Sequence, residues 1–199
     1  MIYKGSPLAH IQGLAFLTIE KLKANNRCLY LNSPSMVTAM TSSLAAAGLD
    51  VAREVHRGAL VLSSKKDHLL KGRFDVDRMI NMLTIAVDGA LLDGYQGLWG
   101  TGDMTWELGA ESSFEKLFAY ECGLEVLFRR RPALSGLCQY HNDTLPEDSL
   151  HAALLTHRST YINETLSRIN PFYSRLESPA PRRVSNPKVT KMLARAAAR

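Results

Sequence analysis

The segment with the clearest potential for chemistry runs from Gly100 to Glu107 and reads Gly-Thr-Gly-Asp-Met-Thr-Trp-Glu. Its first residues are predicted to end a buried strand, which Asp103 follows directly. Parallel α/β sheets bind ligands at the carboxyl ends of their strands, where a carboxylate can hold a metal ion or polarise a ligand. A structural interpretation is also open, in which Asp103 bonds backbone amides and Trp106 fills the core.

A second candidate is the segment Cys138-Gln139-Tyr140-His141, because cysteine catalysis needs a thiolate with a base in reach. Successive residues of a strand point to opposite faces of a sheet, so Cys138 and Tyr140 share one face while His141 points to the other. A dyad of Cys138 and His141 is therefore disfavoured, and a buried thiol is the simpler interpretation. His157 could approach in space, although no spacing in the sequence indicates it.

The sequence predicts neither a metal site nor a disulfide framework. The three cysteines, Cys28, Cys122 and Cys138, are widely separated, and no two have the C-x-x-C spacing of a zinc site. His151 and His157 are six residues apart, which places them on different sides of a helix. We expect reduced, buried thiols, no metal ion and no cofactor.

The first turn between a strand and a helix, Lys4 to His10, lacks the composition of a phosphate-binding loop. Such a loop needs several glycines whose amides surround the anion, followed by a lysine and a hydroxyl at the start of the helix. This turn has one glycine and a proline, which has no N–H group. Tight triphosphate binding is not expected. A residual nucleotide-binding, ATPase-like protein that uses Asp103 and Glu107 with magnesium remains the alternative function.

The elements that must position these residues alternate between helix and strand. The predicted order is a helix from 7 to about 24, a strand at 28–31, a helix at 36–47, a strand at 58–62, a helix from the Asp75 cap to 92, a strand at 97–102, a helix at 114–129, a strand at 134–140 and a helix at 146–155. This alternation predicts an α/β fold in three layers, with a largely parallel sheet and helices on both faces.

The positive charge of the chain is concentrated at its end. The 199 residues carry a net charge of +5, yet residues 178–199 hold six of the 24 basic residues and none of the 19 acidic ones. Beyond residue 171 the composition shifts to proline, serine, arginine and alanine. We therefore expect a folded domain over residues 1–173 and a basic, disordered tail over residues 174–199. The tail could make weak, nonspecific contacts with nucleic acid.

The chain shows no sign of a membrane segment or of a secretory signal. No run of about 18 apolar residues is present, so a transmembrane helix is not expected. The first residues lack the basic-then-apolar order of a signal peptide. We therefore expect a cytoplasmic protein that does not bind a membrane.

Eight short segments follow one another in an order that is typical of one family. They are NRCLYL at 26–31, AGLDV at 47–51, GAL at 58–60, GRFD at 72–75, GYQGL at 94–98, GDMTW at 102–106, YE at 120–121 and LCQY at 137–140. Together they resemble the MEDS family, the methanogen/methylotroph sensory domain that is also found in the dichloromethane-responsive regulator. The resemblance covers residues 1 to about 173. The family's Gly-Glu-Met is Gly-Asp-Met here, which shortens the carboxylate at Asp103.

The resemblance implies a RecA- or KaiC-like core that has lost its phosphate-binding loop. It also implies a non-catalytic sensory or regulatory module in signal transduction or transcriptional control, which binds a small organic ligand or a signalling protein. The residues at the family's recurring positions, which we expect to bind the ligand, are Asp103, Trp106, Tyr120, Glu121, Cys138, Tyr140 and His157. Of these, Asp103 and Trp106 are expected to matter more for signalling than for folding.

Overall fold

The centre of the molecule is a seven-stranded sheet that separates two layers of helices. The computed structural model describes residues 1–67, 69–108, 113–157, 160–162 and 165–167. In chain order the elements are β1 (Ile2–Tyr3), a 3₁₀ helix (Pro7–His10), α1 (Ile11–Lys23), β2 (Asn26–Leu31), α2 (Pro34–Ala46), α3 (Val51–His56), β3 (Leu60–Ser63), β4 (Leu69–Leu70), β5 (Arg73–Phe74), α4 (Val76–Leu92), β6 (Gly97–Asp103), α5 (Met104–Leu108), α6 (Phe114–Arg130), β7 (Leu134–His141), α7 (Glu147–Thr156), β8 (Thr160–Ile162) and β9 (Thr165–Ser167).

The strands are ordered β3-β2-β6-β7-β1-β8-β9 across the sheet. Each neighbouring pair from β3 to β8 is parallel, and β9 pairs with β8 in the antiparallel direction at the edge. The strands β4 and β5 form a separate antiparallel hairpin. The prediction of an α/β fold with a largely parallel sheet is therefore confirmed.

Four helices begin where a polar side chain caps the first turn. The cap of α2 is Ser33, whose hydroxyl accepts a hydrogen bond from the Met36 amide. The caps of α3, α4 and α6 are Asp50, Asp75 and Ser113, each of which accepts from the amide three residues further on. The predicted starts of α4 and α6 are confirmed, and α2 begins at Pro34, two residues before its predicted start. The short helix α3 is not predicted from the sequence.

The two faces of the sheet carry separate apolar cores. The face covered by α1 and α2, called the α1 face below, receives Cys28, Tyr30 and Trp99 from the strands. The face covered by α4, α6 and α7, called the α6 face, receives Leu98 and Tyr140. Leu98 and Trp99 are adjacent in β6 yet lie in different cores, as the alternation of a β-strand requires. The predicted three layers, with helices on both faces, are confirmed.

Glycine takes the place of larger side chains at the centre of β6 and β7. Gly100 of β6 and Gly136 of β7 are cross-strand partners. On the α6 face these glycines leave a cavity of about 40 Å³, closed on the helical side by Met79, Leu83 and Leu124. The middle of the sheet therefore has free space on one face.

Two predictions about the whole chain have different outcomes. Among the described residues, no helix is both long and apolar enough to cross a membrane. The predicted boundary between a domain at 1–173 and a tail at 174–199 lies outside the described residues. The proposed nucleic-acid contact of that tail lies outside them as well.

Because Cys28 is buried on the α1 face, we expect the folded protein to lose stability at alkaline pH. Cys28 is 1% exposed and its thiol donates to the Thr18 carbonyl oxygen at 3.6 Å. Burial raises the pKa of this thiol from 9.0 to about 12. The folded state therefore holds the proton more tightly than the unfolded chain, so stability is lost as the pH rises above about 9, by up to about 1.4 kcal/mol per pH unit.

The variant Cys28→Ala isolates this contribution. We expect it to lower the free energy of unfolding at about pH 8, because a buried side chain is shortened, but to reduce the further loss between about pH 8 and pH 10. Urea titrations of both proteins at each pH measure the difference. Equal losses in the wild type and the variant over this interval would show that the thiol does not titrate with unfolding.

Candidate functional site

The seven residues predicted to bind a ligand are divided between the two faces of the sheet. Asp103 continues the alternation of Trp99 and Thr101 in β6, which places its side chain on the α1 face. Trp106 in α5 packs against the core of the α6 face. The remaining residues are also on the α6 face: Tyr120, Glu121, Cys138, Tyr140 and His157. The structure therefore separates Asp103 from the other six.

Asp103 is the centre of a complete hydrogen-bond network. Its side chain, 5% exposed, accepts from the hydroxyl of Tyr3 at 2.6 Å. It also accepts from the amides of Thr105 at 2.9 Å and Trp106 at 3.1 Å, which begin α5. Burial, together with the neighbouring Asp103 carboxylate, raises the pKa of Tyr3 well above its ordinary value, so its phenol stays a donor. These contacts explain why a carboxylate is buried at position 103 without any need for a bound ligand.

The turn after β1 is closed by acidic and imidazole groups of the loop that follows β7. The amide of Gly5 donates to the Asp143 carboxylate at 3.0 Å. The imidazole Nε2 of His141 lies 2.9 Å from the Gly5 carbonyl oxygen, and its ring stacks on Tyr3 with the centroids 4.9 Å apart. The Asp143 carboxylate therefore already accepts the hydrogen bond from the Gly5 amide that a phosphate group would accept. This contact disfavours phosphate binding at the turn.

Glu121 of α6 is a carboxylate in an apolar core, only 2% exposed. The hydroxyl of Tyr140 donates to its Oε1, and the hydroxyl of Thr156 lies 3.3 Å from its Oε2. Burial and the carboxylate raise the pKa of Tyr140 well above its ordinary value, which keeps the phenol protonated as a donor. A buried charge costs several kcal/mol unless partners compensate it. The chain supplies those partners from β7 and α7.

His157, directly after α7, is oriented towards this carboxylate. Its Nδ1 lies 2.8 Å from the carbonyl oxygen of Ala153. A carbonyl can only accept a hydrogen bond, so this contact requires the tautomer with a proton on Nδ1. The hydroxyl of Thr156 also lies 3.0 Å from Nδ1. The other ring nitrogen, Nε2, lies 3.7 Å from Oε2 of Glu121. The ring also meets that of Tyr140 edge to face, with the centroids 5.7 Å apart.

Cys138 of β7 completes a compact group with Glu121 and His157. One carboxylate oxygen, the thiol sulfur and one ring nitrogen all lie within 4.8 Å of one another. Alternation along β7 places Cys138 and Tyr140 on the same face, as predicted, and His141 on the other. We call Glu121, Cys138 and His157 the Glu-Cys-His cluster.

An open groove of about 460 Å³ lies beside the Glu-Cys-His cluster. Its walls combine apolar and polar side chains from α6, β7 and the end of α7. The lining residues are Glu121, Leu124, Glu125, Phe128, Arg129, Leu134, Ser135, Gly136, Thr156 and His157. Thr156 and Ser135 are site residues that the sequence analysis does not identify, because neither lies in a recognisable motif.

Tyr120 and Trp106 lie on the same face of the sheet as the cluster but are not members of it. The ring of Tyr120 meets Phe74 edge to face, with the centroids 5.4 Å apart, and it borders the small cavity above the glycines. The side chain of Glu107, the second carboxylate of the magnesium alternative, lies outside the described side chains. Four of the seven predicted residues therefore come together, namely Glu121, Cys138, Tyr140 and His157.

Comparison with known proteins gives one family match. A family model described as "MEthanogen/methylotroph, DcmR Sensory domain" matches residues 11–158. The match includes the whole Glu-Cys-His cluster and the residues that support it. No curated protein shows a significant match to the chain.

Proposed function

Since the chain belongs to the MEDS family of sensory domains, we propose that it binds a small organic ligand in the groove on the α6 face. The groove volume of about 460 Å³ falls in the range of about 300–1,000 Å³ that is typical of small-molecule sites. Its walls combine three apolar side chains with six polar or charged ones, so the groove is suited to a polar organic ligand. The apolar ones are Leu124, Phe128 and Leu134.

The observation that carries this proposal is the buried carboxylate of Glu121. A glutamate at 2% exposure is unfavourable for stability compared with an apolar side chain of similar size. It borders the groove together with Thr156 and His157. Polar groups that converge at one end of a groove orient a ligand, so this end would recognise the polar group of the ligand.

The ligand would act by favouring one of two conformations. The groove is bordered by α6, β7 and the end of α7. A ligand that contacts all three would bind one of their relative arrangements more tightly than the other, and it would shift the equilibrium towards that arrangement. The signal would then pass to a partner protein in signal transduction or transcriptional control. The module is proposed to act without catalysis.

The alternative, nucleotide binding with magnesium at Asp103, has less support. The Asp103 carboxylate already accepts hydrogen bonds from Tyr3, Thr105 and Trp106. The turn after β1 presents the Asp143 carboxylate to the amide of Gly5. No melting shift with millimolar ATP and magnesium is therefore expected, because a bound nucleotide would raise the apparent stability.

The test is a thermal-shift screen of the full chain against small alcohols, amines, amides and carboxylic acids. A ligand at about 100 times its Kd stabilises the folded state by about 2.7 kcal/mol, which corresponds to roughly 5–10 °C in a chain of this size. We expect at least one chemical class to give such a shift. The shift should fall to near zero in Glu121→Gln, which keeps the volume of the side chain and removes its charge.

Asp103→Asn is the matched control, because it removes a buried carboxylate from the opposite face of the sheet. We expect this variant to melt at a lower temperature but to keep the full ligand-induced shift. The reverse pattern, in which Glu121→Gln retains the shift and Asp103→Asn loses it, would place the ligand at the strand ends and refute the groove.

A further inference from the structure

We propose that the Glu-Cys-His cluster binds one divalent transition-metal ion of the zinc type. The three ligand atoms lie within 4.8 Å of one another. Zinc bonds of about 2.0–2.3 Å in a tetrahedral site place neighbouring ligand atoms about 3.3–3.8 Å apart. The measured Nε2–Oε2 separation between His157 and Glu121, 3.7 Å, already lies in that range. The thiol of Cys138 would have to approach by up to about 1.5 Å.

The chemistry of the three donors selects the class of metal. A thiolate, an imidazole and a carboxylate suit zinc, cobalt or iron, whereas magnesium and calcium prefer sites made entirely of oxygen. Three protein ligands are also the usual number in zinc sites that keep one coordination position for an exogenous ligand.

The arrangement fits a cation better than it fits a cysteine nucleophile with a histidine base. In a catalytic dyad of that kind, one ring nitrogen faces the sulfur while a carboxylate or amide orients the ring through the other nitrogen. Here the orienting group on Nδ1 of His157 is the Ala153 carbonyl. The carboxylate of Glu121 faces Nε2 instead, and the sulfur of Cys138 lies within 4.8 Å of a ring nitrogen and of a carboxylate oxygen. Three donors therefore converge on one point.

The groups around the cluster hold the donors in the form that a metal ion needs. In the tautomer whose Nδ1 donates to the Ala153 carbonyl, Nε2 of His157 has the lone pair that a metal ion would bind. The carboxylate of Glu121 is held by the hydroxyls of Tyr140 and Thr156. Such outer partners fix the orientation of ligands in natural metal sites.

A bound ion would join α6, β7 and the end of α7, which are the elements around the groove. Glu121 and His157 border the groove themselves. The remaining coordination position could therefore take a polar atom of the proposed organic ligand. This last step rests on the proposed ligand-binding function, whereas the metal site itself does not.

Cobalt binding to the full, tag-free chain tests the site. The protein is reduced with a phosphine, freed of metal with EDTA, and titrated with cobalt chloride. We expect one equivalent to produce the near-ultraviolet charge-transfer absorption of a cobalt–thiolate bond. Cys138→Ser should abolish that absorption, and His157→Gln should weaken cobalt binding at least tenfold, since loss of an outer partner alone costs about 10–100-fold. Cys122→Ser, which changes the residue next to Glu121, should behave like the wild type.

Alkylation of the wild-type chain gives an answer that does not depend on the folding of any variant. Zinc chloride should slow the modification of Cys138 by iodoacetamide, read by mass spectrometry, and leave that of Cys122 unchanged. Absence of both the cobalt absorption and the zinc protection overturns the metal site.

If organic ligands still shift the melting temperature in EDTA, the proposed function stands without the metal. A cobalt absorption without any organic ligand shift would support the metal site and count against the proposed function.

Discussion

Gly136→Ala is expected to destabilise the fold by about 3 kcal/mol or more, while Gly100→Ala is expected to be neutral or slightly stabilising. A methyl group on Gly136 would lie 2.6 Å from the backbone oxygen of Gly100. Backbone cannot yield as a flexible side chain can, so strands β6 and β7 would have to separate. A methyl group on Gly100 has no heavy atom within 4 Å and can enter the cavity of about 40 Å³.

The two variants form a matched pair, because the residues are cross-strand partners and the chemical change is identical. Urea titrations of the wild type and both variants give the free energies of unfolding. A loss in Gly100→Ala as large as that in Gly136→Ala would mean that the sheet centre has no open space beside Gly100.

Asp103→Ala is expected to cost about 3 kcal/mol or more, because it leaves three buried donors without their acceptor at about 1–3 kcal/mol each. The donors are the Tyr3 hydroxyl and the amides of Thr105 and Trp106. Asp103→Asn keeps a side-chain oxygen for the two amides and should cost about 1 kcal/mol. Denaturant titrations of both variants measure the two losses.

This prediction also tests the role that the sequence suggests for Asp103. If Asp103→Asn lowers the free energy of unfolding and the folded variant still binds the ligand as the wild type does, Asp103 supports the fold at the end of β6. If the variant is as stable as the wild type but no longer binds the ligand, Asp103 matters more for signalling than for folding. That result would also count against the groove on the α6 face as the binding site. The hydrogen bonds of the Asp103 carboxylate favour the first result.

The long helices and the central strands could be predicted because each carries its own local signal. The helix α4 has a capping Asp75 and a regular apolar face, and β2 is a short apolar run between polar residues. The helices α3 and α5 and the strands β4, β5, β8 and β9 have two to six residues each. Elements of that length are too short for periodicity to be recognised.

The candidate site could be predicted only in part. Alternation along β7 correctly places Cys138 and Tyr140 on one face, because the spacing lies within a single strand. The approach of His157 to Glu121 depends on how α7 packs on α6, and no local pattern encodes that packing. Family positions place Glu121, Cys138 and His157 in one set of residues without showing that Asp103 lies on the other face of the sheet. The Glu-Cys-His cluster has no sequence motif, because its three residues come from three separate parts of the chain.

The most direct test of the central claim is a map of amide chemical shifts in the ¹⁵N-labelled full chain with the most strongly stabilising compound of the thermal screen. We expect the largest shifts on α6, β7 and the end of α7, around Glu121, Ser135 and His157, and we expect them to disappear in Glu121→Gln. Shifts centred on the turn after β1 and on Asp103, with α6 and α7 unchanged, would contradict this claim.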